Sequence, residues 1–170
     1  ARSYEFSLFS EFASKVEAID YTVKNLKTWM KPEARKTNKP MNFLGGKGQV
    51  RHFPKGVVGI ISPWNLPFGL TVAPLTSALA AGNRALLKPS EFVPETAALF
   101  AEVIPRYFSE DEVAVVTGGA DISQRFAELP FDHLLFTGST RVGAQVMQSA
   151  SKNLVPVTLE LGGKSPVVIG

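Results

Sequence analysis

Cysteine is absent from all 170 residues, which excludes disulfides, cysteine-ligated zinc or iron and a thiol nucleophile within this chain. Histidine is nearly as scarce. His52 and His133 stand 81 positions apart, Asp132 adjoins the second, and no third ligand is spaced for a metal ion. No charge dominates either: eighteen Lys and Arg face fifteen Asp and Glu, a net +3 with the basic residues scattered. That argues against a dedicated nucleic-acid surface. No Ser occupies a Gly-x-Ser-x-Gly turn, so the serine-hydrolase signature is missing. Nor does any glycine pattern complete a phosphate loop. Gly46-Lys47-Gly48 lacks a third Gly at the required step, and Gly163-Lys164-Ser165 is preceded by Thr158 where the loop needs Gly. Nucleotide triphosphate hydrolysis is thereby disfavoured. No signal peptide is visible at the start, and the strand-like segment Lys164–Gly170 is an odd place for a protein to stop; both ends read as cut.

What is present suffices for one domain with an appendage: 45% of the residues are apolar and only 19% are charged, which excludes intrinsic disorder. Phe9, Phe12, Val16, Ile19, Val23, Leu26 and Met30 recur at alternating steps of three and four and predict one helix with a single apolar face. Such a seam either packs on its own domain or meets another chain. Pro32 stops the helix, Lys31 to Pro40 reads as a surface linker, and Gln49 to Phe53 as part of an edge hairpin. From Gly56 onward strands and helices alternate. Strands are expected at Gly56–Ile61, Arg84–Lys88, Glu112–Val116, His133–Phe136 and Val155–Leu161. Helices are expected at Phe68–Ala81, Pro94–Ile104, Ser123–Leu129 and Thr140–Ala150. Strict alternation predicts a parallel sheet covered on both faces. Residues 56 to 83 contain no charge over 28 positions, yet Pro63, Pro67 and Pro74 interrupt the run, which argues against a membrane span.

Four motifs fall at predicted strand ends, and each has an ordinary alternative. In Ser62-Pro63-Trp64-Asn65-Leu66-Pro67, the Asn65 amide between two prolines could donate to a developing oxyanion, or could serve the turn itself. In Leu87-Lys88-Pro89-Ser90-Glu91, a cation beside a carboxylate could hold a ribose at the carboxyl edge of the sheet, or could be a solvated ion pair. In Phe136-Thr137-Gly138-Ser139-Thr140-Arg141-Val142-Gly143, a glycine turn opens a helix whose free amides suit an anion, though Ser139 could simply cap that helix. In Leu159-Glu160-Leu161-Gly162-Gly163-Lys164, a carboxylate within an apolar strand should have a raised pKa if buried, as a general base requires, or could turn outward.

In this order the four motifs resemble the cofactor domain of the aldehyde dehydrogenase superfamily over about Phe53 to Gly170. The wording of Trp64-Asn65-Leu66-Pro67-Phe68, Ile104-Pro105-Arg106-Tyr107-Phe108 and Pro156-Val157-Thr158-Leu159-Glu160 is most similar to its class 3-like branch, with the fatty, aromatic and coniferyl aldehyde dehydrogenases. The resemblance implies an α/β fold, a Rossmann-like open parallel sheet with helices on both faces, plus the N-terminal helix and edge hairpin. It divides the chain into residues 1–54 (helix, linker and hairpin) and 55–170 (an NAD(P)-binding domain truncated before the catalytic domain). It implies that Lys88 and Glu91 hold the adenosine ribose and that Trp64, Gly138 and Ser139 line the pyrophosphate and nicotinamide side. Val142 would pack near the adenine, and Ser62 and Gly143 count among the cofactor-binding residues. Asn65 would donate to the oxyanion of thiohemiacetal and thioester intermediates, a contact whose loss costs about 3 kcal/mol. Glu160 would activate the hydrolytic water. The nucleophile of that family is a Cys beyond the Glu160 motif, so this chain alone should be inactive. NAD is the implied cofactor, with a preference over NADP and no exclusion of it. An aldehyde is the implied substrate, and a cytoplasmic homodimer without nucleic-acid partner or membrane span the implied setting. The alternative is a non-catalytic dinucleotide-binding or structural member of the same fold.

Overall fold

A computed structural model describes residues 3–169. The chain begins with a continuous helical run: α1 (Tyr4–Ser7), a π-helical stretch (Leu8–Ala13) and α2 (Ser14–Trp29), which ends three residues before Pro32. Two short strands follow, β1 (Glu33–Arg35) and β2 (Gly48–Val50), paired antiparallel in a sheet of their own. The stretch expected to be a linker thus supplies one strand of the hairpin, because β2 needs a partner for its backbone groups.

The remainder is the expected alternation. β3 (Val57–Ile61), α3 (Gly69–Ala80), β4 (Arg84–Lys88), α4 (Pro94–Val103) with a 3₁₀ turn at Ile104–Arg106, and β5 (Val113–Val115) are followed by α5 (Ala120–Ala127), β6 (His133–Gly138), α6 (Thr140–Ser151) and β7 (Val157–Leu161). All five main strands run parallel in the order β5-β4-β3-β6-β7. After β3 the chain moves one way through β4 to β5; it then crosses back to β6 and β7. One face of the sheet packs Leu75 and Ala78 of α3 and Phe100 of α4 against Val58, Ile60, Leu87 and Val113. The other packs Phe126 of α5 and Val146 and Ala150 of α6 against Ile61, Leu134 and Phe136. Burial on both faces explains the largely apolar middles of β3, β4 and β6. No helix among the described residues is long and apolar enough to cross a membrane.

Local chemistry holds the entry to β3 in place. Asn83 Oδ1 accepts from the amides of Lys55 at 2.6 Å and Gly56 at 3.0 Å, and Asp132 Oδ2 accepts from Val57 N at 2.7 Å. Gly56 has φ +132° and the Asp132 carboxylate occupies the space a Cβ would need, so no other residue fits there without strain.

Two expectations are corrected. The apolar seam of the first helix does not pack on its own domain as a unit: Phe9 is 75% exposed and Met30 70%, and Val16 and Val23 also face outward. Glu11 turns inward instead. The seam assumed a uniform helical period, and the π-helical stretch, with its wider i to i+5 turn, breaks that period at Leu8–Ala13. From its front part Phe12 turns inward and stacks on Phe68 at 4.2 Å. The strand expected after Lys164 is also not formed, and Val167, Val168 and Ile169 are exposed. An apolar segment becomes a strand only when a neighbour receives its amides and carbonyls, and residues 162–169 have none among the described residues. Gly170 lies outside the described residues.

β4 ends in a charge. The Lys88 side chain is fully buried; its Nζ donates to the carbonyl of Pro89 at 2.8 Å and lies 4.0 Å from Glu91 Oε2. Burial holds the Lys88 pKa below the ordinary 10.5, against the opposing pull of the Glu91 and Asp121 carboxylates. The unfolded chain therefore keeps this proton to higher pH than the folded one, and the charged ammonium opposes folding at neutral pH. That penalty is lifted as pH rises from the lowered value to 10.5. Relative to Lys88→Met, the parent chain should gain stability across that window. Urea midpoints of both chains at a series of pH values check this; a difference that stays flat with pH would show that the ammonium is not strained by burial.

Candidate functional site

The reversal of strand order between β3 and β6 leaves a crevice at the carboxyl edge of the sheet, where open α/β sheets place their ligands. A cleft of about 660 Å³ opens there, within the roughly 300–1,000 Å³ typical of small-molecule sites. Parallel register builds it. Ile61 at the end of β3 sits beside Lys88 on one side and Phe136 on the other, so three successive strand ends deliver their following residues to one place.

Ser62, Trp64, Lys88, Glu91, Gly138, Ser139 and Val142 all line this cleft. Ser62 is buried, its hydroxyl 2.6 Å from Thr71 Oγ1, and its amide donates to the Lys88 carbonyl at 3.2 Å. Trp64 is largely exposed at the rim. The alternative of a solvated surface pair fails for Lys88, whose ammonium is inside the protein while Glu91 stays partly in solvent. Ser139 does cap α6: its Oγ accepts from Val142 N at 3.3 Å. This ordinary role leaves the remaining first-turn amides of a helix without intrahelical partners, at the wall of the cleft. Gly138 leaves no room for a side chain, since a Cβ would lie 2.5 Å from Phe136 Cζ.

Three of the expected site residues stand apart from the cleft lining. Gly143 is buried, and a Cβ there would lie 2.7 Å from Leu161 Cδ2, so its smallness lets α6 close on β7. Asn65 is exposed in the loop after β3 and makes no hydrogen bond within the described chain, so its amide is not used for turn chemistry. Glu160 is also exposed. Of the settings left open for this carboxylate the structure shows the outward one, and among the described residues β7 has a neighbour, β6, on one side only. Glu160 pairs in register with Thr137, and β6 alone separates β7 from β3. Two strand spacings, roughly 10 Å, thus part the Asn65 and Glu160 strands at the same edge.

Sequence reasoning assigned nothing to Arg141, Gln145 and Phe92, which also line the cleft. Arg141 and Gln145 lie four apart on α6, a spacing that places them on one helix face once the helix start is known. Phe92 gave no signal: it is a single aromatic in a loop. The arrangement offers a buried cation beside a carboxylate, a capped helix start and an aromatic rim.

Residues 3–170 match the aldehyde dehydrogenase family. The chain is 49% identical over 170 residues to a "Probable coniferyl aldehyde dehydrogenase" of Caulobacter vibrioides, covering 99% of this chain and 35% of that protein. It is likewise 49% identical to a coniferyl aldehyde dehydrogenase of a Pseudomonas species, covering 99% of this chain and 34% of the other. Among solved structures, a substrate-bound Staphylococcus aureus AldH superposes with a TM-score of 0.89 at 42% identity, over 94% of this chain and 34% of that one. A Mycobacterium tuberculosis aldehyde dehydrogenase complexed with NAD+ gives 0.79 at 34% identity, over 94% and 32%. The chain therefore spans about a third of the length of the relatives it matches. On the strength of its parallel sheet, its cleft at the strand reversal and this match along nearly its whole length, the chain belongs to the aldehyde dehydrogenase family.

Proposed function

We propose that this chain is the cofactor-binding portion of an NAD(P)-dependent aldehyde dehydrogenase that converts an aromatic aldehyde of the coniferyl type, or a long-chain one, to its acid. The observation that carries this reading is the cleft itself, which gathers residues of three separate motifs, Ser62 and Trp64, Lys88 and Glu91, and Gly138 and Ser139, around one reversal point. Residues 1–54 then form an appendage to a dinucleotide-binding domain over 55–170.

The residues present fit a dinucleotide: the cleft holds a buried cation, a neighbouring carboxylate and a helix start whose wall lacks side-chain bulk at Gly138. When bound, the nicotinamide cofactor supplies the hydride acceptor. Lys88 and Glu91 bind ribose hydroxyls, Ser62, Trp64, Gly138 and Ser139 flank the pyrophosphate and nicotinamide side, and Val142 packs near the adenine. Gly143 contributes through the close approach of α6 to β7. Asn65 donates its NH2 to the substrate oxygen as charge develops there. Glu160 takes a proton from the water that hydrolyses the acyl intermediate, which is carried by a Cys outside these 170 residues. The whole enzyme is read as a cytoplasmic homodimer.

Three outcomes test this reading. In the full-length enzyme, Glu160→Gln should abolish steady turnover while a pre-steady-state burst of reduced cofactor survives; a lost burst with intact folding would place Glu160 in an earlier step. Glu91 should favour NAD over NADP, because a 2′-phosphate would face its carboxylate, and equal kcat/KM for the two cofactors would refute that. Residues 1–170 alone should reduce no cofactor with any aldehyde; turnover by the isolated chain would require a nucleophile other than cysteine.

A further inference from the structure

The loop that carries Asn65 is anchored at its two ends by different means. At its start, Ser62 is tied to β4 through the Lys88 carbonyl, and Thr71 Oγ1 is 2.6 Å from both Ser62 Oγ and the Pro67 carbonyl. At its end, α3 begins without a cap of its own: Phe68, the residue before the helix, has αR dihedrals and makes no side-chain cap hydrogen bond. Glu11 fills that role from 57 residues away. Its Oε2 accepts from Phe68 N at 2.8 Å and from Gly69 N at 3.1 Å, and the residue is only 5% exposed. A carboxylate on two first-turn amides is a charge-assisted pair placed at the positive end of the helix.

Packing reinforces the contact. Phe12, one residue on, stacks on Phe68, and Phe68 stacks in turn on Phe100 at 5.9 Å with rings 8° from parallel. Gly69 is buried, and a Cβ there would lie 3.0 Å from Lys15 Cε and 3.8 Å from Glu11 Cα, so the first helix packs closely on the start of α3. Phe68 is three residues after Asn65, and between the two anchors Trp64 and Asn65 are held by backbone alone, both exposed.

We propose that Glu11 is a positioning residue for the Asn65 loop, setting the oxyanion donor from the first helix through the start of α3. The proposal rests on the assignment of Asn65 as that donor. It acts mainly on the acyl-forming step: of the cleft lining only Pro63 and Trp64 lie between the two anchors, and the rest is carried by β3, β4, α5, β6, α6 and the turns that follow the strands.

The test is made in the full-length enzyme. Glu11→Ala should slow the burst rate constant by roughly tenfold to a hundredfold, the range an ångström-scale misplacement brings, with NAD Kd shifting far less than the burst and kcat falling more than aldehyde KM rises. Glu11→Gln, whose amide oxygen can accept from the same two amides, should restore most of the rate. In an Asn65→Ala background, Glu11→Ala should add almost nothing. Equal slowing in both backgrounds, or a lower Tm with an unchanged burst, overturns the proposal. Should Glu11→Ala fail to fold, Glu11→Asp, which withdraws the carboxylate by one methylene, is read in the same way. If Asn65→Ala alone leaves the burst intact, the assignment of Asn65 fails. Hydrogen exchange of the 62–70 segment then answers for Glu11 independently: faster exchange in Glu11→Ala sustains its hold on the loop, and unchanged exchange ends the claim.

Discussion

β3 is the strand on which the cleft depends. It pairs in parallel with β4 on one side and β6 on the other, so Ile61 lies level with both Lys88 and Phe136. A register slip of one residue in either pairing would turn every side chain of the slipped strand to the opposite face. The core would then lose Leu87 or Leu134, both fully buried, and the strand ends would no longer open into one cleft. The hydrogen bonds at the entry to β3, which Asn83 and Asp132 accept from the amides of residues 55 to 57, hold that register from below.

Two buried charges govern the carboxyl edge, and they are satisfied differently. Lys88 curls back on the carbonyl of Pro89 and leans toward Glu91, so its charge is kept at the cleft wall at some cost to stability. Glu11 finds helix amides, the partners a carboxylate loses least by meeting. One faces the cleft and the other meets the start of α3, just after the loop at its rim. The first helix is thereby part of the site's frame, although it touches none of the cleft.

Much of this was legible beforehand. Strand and helix alternation gave the parallel sheet because periodicity and turn residues are local signals: Gly82 with φ +81° closes α3, next to the expected helix end at Ala81, and Pro94 opens α4. The four motifs were recognisable as strand-end segments for the same reason. The rest depends on neighbours. The apolar strand around Glu160 left its side chain open to either setting, because a strand's burial depends on what lies beside it, and among the described residues β7 has β6 alone as a neighbour. Val167 to Ile169 read as a strand by composition and form none without a partner.

The amino-acid order by itself determined which segments between Gly56 and Leu161 become strands and helices, which residues sit at their strand ends, and that no thiol chemistry is available in these residues; all of these follow from local propensity, spacing and composition. Tertiary structure decided which strand ends are neighbours, that Lys88 is inside and Glu160 outside, and that Glu11 rather than the apolar seam faces the domain. The π-helical stretch at Leu8–Ala13 rotates the helix away from its simple period, and only the position of α3, delivered by the fold of the sheet, gives the Glu11 carboxylate two amides to accept.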